Sequence, residues 1–399
     1  MASIESMPLS KARNLVLKKQ RLTPSTKGKS KADVVEVIKG LCGIQYDPLP
    51  VIAQAQYITM WNRVRGFRED WLDSLLYEEK RLIEFMLMRQ TLNIVPTKEL
   101  PYYYQGTRSV IRAGWVQSVT DKKEEAVNRK ILAKVKENGE VSSKDFPYAA
   151  LRSLFYSGET FIGRRGKGVF RMPYYHLFSD YFQNLKLGSV DEETARRHLT
   201  LKTLSAYGIS PSRHIAYWIG YKVRETEEIL HELEMEGVIT KVKIEGLQRP
   251  HWITVEDLDK LETDVDEEEF VALLTLMDNL VRDRKWLQRL FNYTFEVEYF
   301  QEKGMKWHVN ILQNNEFLGF INPKTDRPRK LFIIKDIVLR RKLEKEEWER
   351  VLERVEELAG FHNAEAIEVT RTLSTEVKKA LRTYGFSGEK KGELLLALD

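Results

Sequence analysis

The chain has 399 residues, 42% hydrophobic and 11% aromatic, which is enough apolar material for about two to four folded domains and excludes a disordered protein. Its formal net charge is +5, and no apolar run reaches the roughly 20 residues that a membrane span needs. The basic N-terminus also lacks an apolar core of signal-peptide length. We therefore expect a soluble, cytoplasmic protein that does not enter a membrane.

Charge is distributed unevenly along the sequence. Residues 1–31 contain eight Lys or Arg against a single acid, Glu5. Residues 256–269 contain nine acids against a single base, Lys260. A basic arm and an acidic connector fit a protein that presents one face to a polyanion. An ordinary solvated surface with a charged linker explains the same pattern, so charge alone leaves both readings open.

The first third of the chain is predicted to be largely helical. The apolar spacing predicts helices over residues 9–22, 31–43 and 70–88. Cys42, the single cysteine, falls on the apolar face of the second helix and is expected to be a buried thiol in a reducing compartment. The third helical pattern runs into an apolar stretch that ends at Pro96, and the three consecutive tyrosines after it show no clear period.

The most informative segment is the sequence Gln-Tyr-Asp-Pro-Leu-Pro, which begins at Gln45. Because side chains alternate along a strand, a short extended piece here places Gln45 and Asp47 on one side, and Ile44 and Tyr46 on the other. Pro48 disfavours helical backbone at the residue before it, which keeps the piece extended. An amide beside a carboxylate can orient and deprotonate a water, or stabilise a nearby cation. An Asp before Pro is more commonly a turn or a helix cap.

Residues 119–262 show one order of elements twice, which is typical of tandem winged helices. In the first copy helices precede a hairpin with a glycine-rich, basic tip, and in the second three helices precede two strands. The predicted helices lie at 122–138, 149–156, 195–206, 212–220 and 226–236, and the hairpin and strands at 161–171, 238–244 and 249–254. We therefore predict winged-helix domains at 119–188 and 189–262, and a more decorated winged-helix-like domain at 1–118.

The last predicted domain, residues 263–399, is a small α+β unit. Alternating apolar residues predict a strand over 293–299, a hairpin that turns at Asn314 and a strand over 331–339. The apolar spacing from Trp348 to Leu358 predicts an amphipathic helix. The predicted fold class of the whole chain is accordingly α+β, with about three tandem winged helices followed by this domain.

Several basic residues are candidates for contacts with DNA phosphates, which cations reach without reading bases. The candidates are Arg63, Arg89, Arg164, Arg165, Lys167, Lys241 and Lys243. Three of them lie in the glycine-rich tip, which resembles a phosphate loop in composition but lacks the strand-then-helix context of one. A turn that is basic only for solubility explains this tip equally well.

The sequence carries no sign of metal or cofactor chemistry. The seven His and one Cys lack the spacing of zinc ligands. A P-loop, a GxGxxG fingerprint and a nucleophile elbow are all missing. The cysteine has no obvious His partner in sequence, which argues against thiol catalysis. We therefore expect no metal and no small-molecule cofactor.

Several segments, in the same order from about Leu9 to Arg329, resemble winged-helix DNA glycosylases of the AlkZ/YcaQ type. The segments are Leu9–Leu15, Gln45–Asp47, Met60–Arg63, Met88–Pro96, Asp278–Arg284 and Arg289–Phe291. The resemblance implies tandem winged helices around a DNA-binding channel, removal of N7-alkylated purines and unhooking of interstrand crosslinks. It also implies that Gln45 and Asp47 are the catalytic residues, in the Gln-x-Asp version that the family associates with broader, less crosslink-specialised glycosylases.

The sequence departs from the family pattern at two places. Asn93 stands where many members have His, and Leu274–Asp278 replaces the usual Ser-Pro-Phe-Asp. The first departure bears on the pocket, whereas the second can be purely structural.

The implied reaction suits the residues present. An N7-alkyl purine is cationic and leaves as a neutral base, so the enzyme must chiefly stabilise a positive sugar and position a water. Asp47 can do both, and Gln45 can hold the water. We expect a monomer that acts on double-stranded DNA in base excision repair. The main alternative is a non-catalytic winged-helix DNA-binding protein, such as a regulator or a repair-complex module. A third reading is a structural interaction protein that uses its C-terminal domain.

Overall fold

The structure is a computed structural model that describes residues 5–49, 51–115, 122–168, 171–261, 268–295, 307–370, 374–390 and 393–398. Internal contacts divide the chain into two compact units. The first comprises Met1–Arg21, Gly28–Pro48 and Val64–Val265, and the second comprises Leu22–Lys27, Leu49–Arg63 and Asp266–Asp399. Helices and strands are both plentiful in the described ranges, which gives a mixed α+β fold as predicted.

Helices and strands are numbered here in chain order. The helices are α1 (Leu9–Lys19), α2 (Lys31–Gly40), α3 (Ala55–Trp61), α4 (Glu69–Asp73), α5 (Leu100–Trp115), α6 (Lys122–Asn138), α7 (Tyr148–Ser157), α8 (Phe178–Tyr181), α9 (Glu192–Tyr207), α10 (Ser212–Ile219), α11 (Val223–Met235), α12 (Val255–Lys260), α13 (Asn279–Arg282), α14 (Arg284–Phe291), α15 (Lys345–Phe361) and α16 (Thr375–Tyr384). The strands are β1 (Glu5–Met7), β2 (Ile44–Gln45), β3 (Leu82–Met86), β4 (Leu92–Pro96), β5 (Thr160–Arg165), β6 (Pro173–Leu177), β7 (Ile209–Ser210), β8 (Ile239–Ile244), β9 (His251–Thr254), β10 (Val271–Thr275), β11 (Val309–Gln313), β12 (Glu316–Asp326), β13 (Leu331–Leu339), β14 (Ala366–Val369), β15 (Ser387–Lys390) and β16 (Glu393–Ala397).

In the described residues of the first unit there are three small sheets. In the antiparallel sheet β2-β4-β3, strand β2 follows α2 and the hairpin β3–β4 comes after α4. The hairpin β5–β6 follows α6 and α7. The third sheet has the order β1-β8-β9-β7, and its hairpin β8–β9 follows α9 to α11. Its outer strand β1 pairs parallel to β8, with Glu5 opposite Val242, and the sequence analysis did not predict this pairing. The predicted order of helices before a hairpin is therefore present in both halves of residues 122–254.

The predicted helix over residues 70–88 is wrong in its second half. α4 is followed by a single π-helical turn, Ser74–Glu78, and the chain then enters strand β3. β3 reads Leu-Ile-Glu-Phe-Met, and an apolar run of this length fits a buried strand as well as a helix. Pairing with β4, with Phe85 opposite Asn93, supplies the backbone hydrogen bonds that favour the strand.

The tyrosine segment without a clear period is the start of α5. Tyr103 and Tyr104 are buried, and the Tyr103 hydroxyl lies 3.8 Å from the Cys42 sulfur. Aromatic residues are only moderate helix formers, so packing of this face stabilises the helix more than local propensity does.

The second unit is built on a seven-stranded sheet in the order β10-β11-β12-β13-β14-β16-β15. The predicted hairpin at Asn314, the strand over 331–339 and the helix from Trp348 are confirmed. Residues 293–295 are not a strand, and the rest of the strand predicted over 293–299 lies outside the described residues. α3 belongs to this unit, since Ala55 and Ile58 join its buried core together with side chains of the sheet and of α15.

Every helix in the described ranges is too short or too polar to cross a membrane.

Candidate active site

The chain enters the Gln-Tyr-Asp segment through a tight reversal after α2. The buried face of α2 includes Val34 and Ile38, which anchor the helix against the core. Cys42 and Gly43 then both adopt positive φ, 57° and 85°. A Cβ on Gly43 would lie 2.9 Å from a side-chain carbon of Val95 and 3.2 Å from a backbone oxygen, so glycine is required here. This reversal sets the register in which β2 meets β4.

Pairing with β4 fixes the orientation of Gln45. Gln45 lies opposite Asn93, and the Tyr46 backbone N–H donates to the Leu92 carbonyl at 2.9 Å. Since residues directly opposite in an antiparallel pair share a face, Gln45 and Asn93 lie on one face of the sheet. Gln45 is half-buried, whereas Asp47 is only 4% exposed. An amide that reaches solvent thus precedes, by two residues, a carboxylate held almost entirely within the protein.

Asn93 is a member of this site that the sequence marked only as a departure from the family. Its amide nitrogen donates to the backbone oxygens of Thr91 and Met88, at 2.7 and 3.4 Å, and so stabilises the β3–β4 turn. Within the described ranges its buried side-chain oxygen accepts no hydrogen bond. A buried acceptor opposite Gln45 is therefore available to a water or a ligand donor.

Arg89 lies at the tip of the β3–β4 turn. Arg89 and Gln90 both have φ near 55°, and the Thr91 N–H donates to the Met88 carbonyl at 3.1 Å, as in a turn with two left-handed central residues. Such a conformation is unfavourable for these residue types, and contacts outside the turn hold it. The Arg89 guanidinium lies 3.7 Å from the centroid of the Tyr217 ring, and the Gln90 amide donates to a carbonyl of α5 at 3.0 Å.

A buried charge cluster occupies the other face of the β2-β4-β3 sheet. Glu84 of β3 accepts hydrogen bonds from Arg165 at 3.0, 3.1 and 2.5 Å, and the Tyr77 hydroxyl also donates to it. The Arg165 guanidinium lies 3.9 Å from the centroid of the Tyr46 ring. Tyr46 therefore points away from the Gln45 face, toward the Glu84 face.

The protonation states in this cluster follow from its surroundings. Burial disfavours the charged guanidinium, but the Glu84 carboxylate outweighs burial and raises the pKa of Arg165 above its usual value. Burial, reinforced by the same carboxylate, raises the pKa of Tyr77 well above its usual value. Arg165 therefore stays protonated and Tyr77 keeps its hydroxyl proton, which it donates to Glu84.

The position of Arg165 does not fit the DNA-contacting role predicted for it. Its side chain is 4% exposed, and its charge is taken up by a fully buried carboxylate, Glu84. Nothing in the sequence around either residue reveals this pairing, because 81 positions separate the two.

The neighbouring basic residues of the β5–β6 hairpin are more accessible. Arg164 is 45% exposed, pairs with Glu140 and stacks on Tyr174 at 3.5 Å from the ring centroid. Lys167 is exposed at the tip, which continues into residues 169–170 outside the described ranges. Arg164 and Lys167 remain predicted phosphate contacts.

Arg63 likewise cannot take the DNA-contacting role predicted for it. In the second unit its guanidinium is fully buried and donates to both Asp278 oxygens, at 2.6 and 2.8 Å, and to the Thr59 carbonyl at 3.0 Å. Asp278 also caps α13 by accepting from the Leu280 N–H at 3.1 Å. Two of the segments that carried the family resemblance, Met60–Arg63 and the one beginning at Asp278, therefore meet in a structural ion pair.

The two lysines predicted on β8 differ in their surroundings. Lys241 pairs with Glu234 at 2.8 Å and lies 4.4 Å from the centroid of the Trp252 ring, which leaves it partly covered. Lys243 is exposed. Both remain predicted DNA contacts, and Lys243 is the better placed of the two.

Cys42 is buried, as predicted, and burial raises the pKa of its thiol. Its sulfur lies 3.6 Å from the Thr203 hydroxyl. Across the part of the chain that the structure describes, no three His, Cys, Asp or Glu side chains are grouped in a way that suits a metal ion.

The fold of this chain has a counterpart among solved structures. The solved structure of Streptomyces sahachiroi DNA glycosylase AlkZ is similar over 92% of this chain and 100% of that chain, with a TM-score of 0.65 and 14% sequence identity. That likeness shows a shared fold. No curated protein matches the sequence. The family model described as DNA glycosylase AlkZ-like matches residues 38–361, which is most of the chain and includes Gln45, Asp47 and Asp278. The chain therefore belongs to the AlkZ-like DNA glycosylase family.

Proposed function

We propose that this protein is a DNA glycosylase that hydrolyses the N-glycosidic bond of N7-alkylated purines in double-stranded DNA. The observation that carries the proposal is the nearly buried carboxylate of Asp47, two residues after the half-buried amide of Gln45, in a chain of a DNA glycosylase family. A carboxylate in this position can stabilise the positive charge that develops on the sugar in the transition state.

The proposed reaction needs only these side chains and a water. The bond between the sugar C1′ and the purine nitrogen breaks with its electron pair going to the base, which leaves neutral because the N7-alkyl group had made it cationic. Asp47 stabilises the positive charge that develops on the sugar, and it accepts a proton from the attacking water. Gln45 orients that water. The Asn93 side-chain oxygen, which faces the same side of the sheet, can accept a hydrogen bond from the water or the base.

Finer features of the proposal rest on the family resemblance. We propose that the chain represents the Gln-x-Asp version of the family, works in base excision repair as a monomer and can unhook interstrand crosslinks. The element order of helices followed by hairpins supports the proposed winged-helix domains at 119–188 and 189–262. The predicted boundaries 1–118 and 263–399 do not coincide with the compact units, because residues 22–27 and 49–63 belong to the same unit as residues 266–399.

The direct test is incubation of the protein with duplex DNA that carries N7-methylguanine at one position. Alkaline cleavage then scores abasic sites, with the undamaged duplex and a protein-free sample as controls. Release of the base with EDTA present is the expected result. Full inhibition by EDTA that zinc or magnesium reverses would contradict the mechanism. Binding of both duplexes without any base release would favour a non-catalytic DNA-binding protein.

A further inference from the structure

The β2 strand is held to its sheet by few backbone contacts. Its ladder pairs Ile44 with Ile94 and Gln45 with Asn93, and one further backbone bond joins Tyr46 to Leu92. A strand this short leaves the orientation of the residues that follow it weakly determined. A catalytic side chain must nevertheless be held to within about 0.5 Å of its working position. Something beyond the ladder must therefore fix the segment from Gln45 to Asp47.

Arg165 supplies a second attachment, on the opposite face of the sheet. Its guanidinium contacts the sheet at two places: Glu84 on the outer strand β3, and the ring of Tyr46 beyond the end of the other outer strand, β2. A further donor of the same guanidinium binds the Arg171 carbonyl at 2.8 Å. The guanidinium is thus held by two hydrogen-bonding partners, Glu84 and the Arg171 carbonyl, and the Tyr46 ring is its third contact.

This arrangement is strong enough to set the position of Tyr46. A cation attracts an aromatic ring more strongly when the pair is removed from solvent, and both partners here are nearly buried. Because side chains alternate along extended backbone, a Tyr46 ring fixed on the Arg165 face holds its two neighbours to the other face.

We propose that Arg165, together with Glu84, is a positioning residue for Gln45 and Asp47 that acts through the Tyr46 ring. The inference rests on the proposed glycosylase function, since it assigns a role in that reaction. It gives a basic residue of the β5–β6 hairpin a function in the chemistry, where the sequence had indicated a function in DNA affinity. Arg165 itself touches neither the substrate nor the water.

The test uses variants that leave no lone buried charge. Arg165→Met combined with Glu84→Gln removes the ion pair from both sides. Tyr46→Leu removes the ring and leaves the pair, whereas Tyr46→Phe keeps the ring. Arg171→Met combined with Asp73→Asn is the matched control, because that pair, at 2.7 Å, joins the same hairpin region to α4. Each variant is compared with the wild type in full-length form.

Four measurements separate positioning from folding. They are the single-turnover rate of N7-methylguanine release at saturating enzyme, the Kd for undamaged duplex, the Tm, and hydrogen–deuterium exchange at the Tyr46 amide. We expect Arg165→Met/Glu84→Gln and Tyr46→Leu to lower the rate by about 10- to 100-fold, as expected for a misplaced catalytic group, with the Kd changed less than about 3-fold. Exchange at Tyr46 should accelerate in both. Tyr46→Phe and the control pair should be slowed far less.

The proposal is overturned if the wild type is active and the two test variants release the base at its rate. It is also overturned if Arg171→Met/Asp73→Asn slows base release as much as the test variants do for the same fall in Tm. If the wild type releases no base, the proposed function fails. The positioning role is then tested only by hydrogen–deuterium exchange at the Tyr46 amide. Faster exchange at Tyr46 in the test variants, but not in the control, would then support it. Unchanged exchange in the test variants would overturn it.

Discussion

Asp278 and Arg63 form a buried ion pair that has a structural role. Both side chains are fully buried, and the carboxylate accepts two hydrogen bonds from the guanidinium. Removing one member leaves the other as a lone charge without water, and that loss is large even where the intact pair adds little net stability.

We predict that Arg63→Met lowers the free energy of unfolding by about 3–5 kcal/mol. Urea unfolding at neutral pH measures the change. Arg68→Met is the control, because Arg68 forms a comparable pair with Asp70 on the surface, where water screens the charges, and its loss should change stability far less. Equal effects from the two variants would mean that the Arg63 pair is not buried in solution.

The thiol of Cys42 should be unreactive in the native protein. It is buried, and burial raises its pKa, so little thiolate is present near neutral pH. With an aromatic disulfide reagent at pH 8, we expect colour to develop at the rate of unfolding and immediately in denaturant. Rapid modification of the folded protein would show that the reversal after α2 opens readily.

Among the secondary-structure elements, the β5–β6 hairpin has basic residues in two different surroundings, one buried and one exposed. Arg165 is turned inward onto Glu84, while Lys167 lies at the exposed tip. The number of basic residues in a glycine-rich turn is therefore larger than the number whose side chains can reach a phosphate. The same holds on β8, where Lys241 is partly covered and Lys243 is exposed.

We predict that Lys167→Ala and Lys243→Ala each weaken binding to every DNA sequence alike. Each should reduce the slope of log affinity against log salt by about 0.9, because one phosphate contact is lost. Titration of undamaged duplex at several salt concentrations measures the slope. Lys345→Ala, at the start of α15, removes the same charge elsewhere and should leave the slope unchanged. An unchanged slope in both test variants would exclude β8 and this hairpin tip from the DNA path.

The end of α15 carries a pH-sensitive group. His362 has a buried Nε2 atom, and burial, aided by the charge of Arg327, lowers its pKa from the ordinary 6.5 to about 3. Its neutral form is therefore favoured in the folded state, and protonation favours unfolding. The contribution of His362 to the free energy of unfolding should be constant above pH 6.5 and should fall progressively as the pH drops from 6.5 toward 3.

We predict that His362→Phe flattens this part of the stability profile. Urea unfolding at pH 7.5 and at pH 5 measures the difference for the variant and the wild type. The variant should lose less stability than the wild type between the two values. An equal loss would show that His362 is solvated and titrates normally in the folded protein.

Helices and hairpins with a clear apolar period could be predicted, and those stabilised by partners elsewhere in the chain could not. The helices near 122–138 and 195–206 and the hairpin at Asn314 follow from local spacing. β3 was missed because its largely apolar run fits a helix as well as a strand, and Arg165, the partner that allows the buried carboxylate of Glu84 within it, lies 81 positions away. β1 was missed because its pairing with β8 spans most of the first unit.

At the scale of the whole molecule, the two compact units are interleaved in sequence. Residues 49–63 belong to the second unit although residues on both sides of them belong to the first. A reading of domains as consecutive blocks cannot represent this, so Arg63 was grouped by sequence with the first domain while its partner Asp278 lay in the last. The Gln45-x-Asp47 pattern was recognisable only through the order of several weak motifs, since six residues alone are compatible with a simple turn.

We propose that Asp47 performs the chemistry of base release. The most direct measurement is the single-turnover rate at which wild type and Asp47→Asn release N7-methylguanine from duplex DNA, with the Kd for undamaged duplex measured in parallel. The amide is nearly isosteric but carries no charge and accepts no proton. We predict a fall in rate of about 10²–10⁴-fold with the Kd nearly unchanged. Release by Asp47→Asn at the wild-type rate would contradict it.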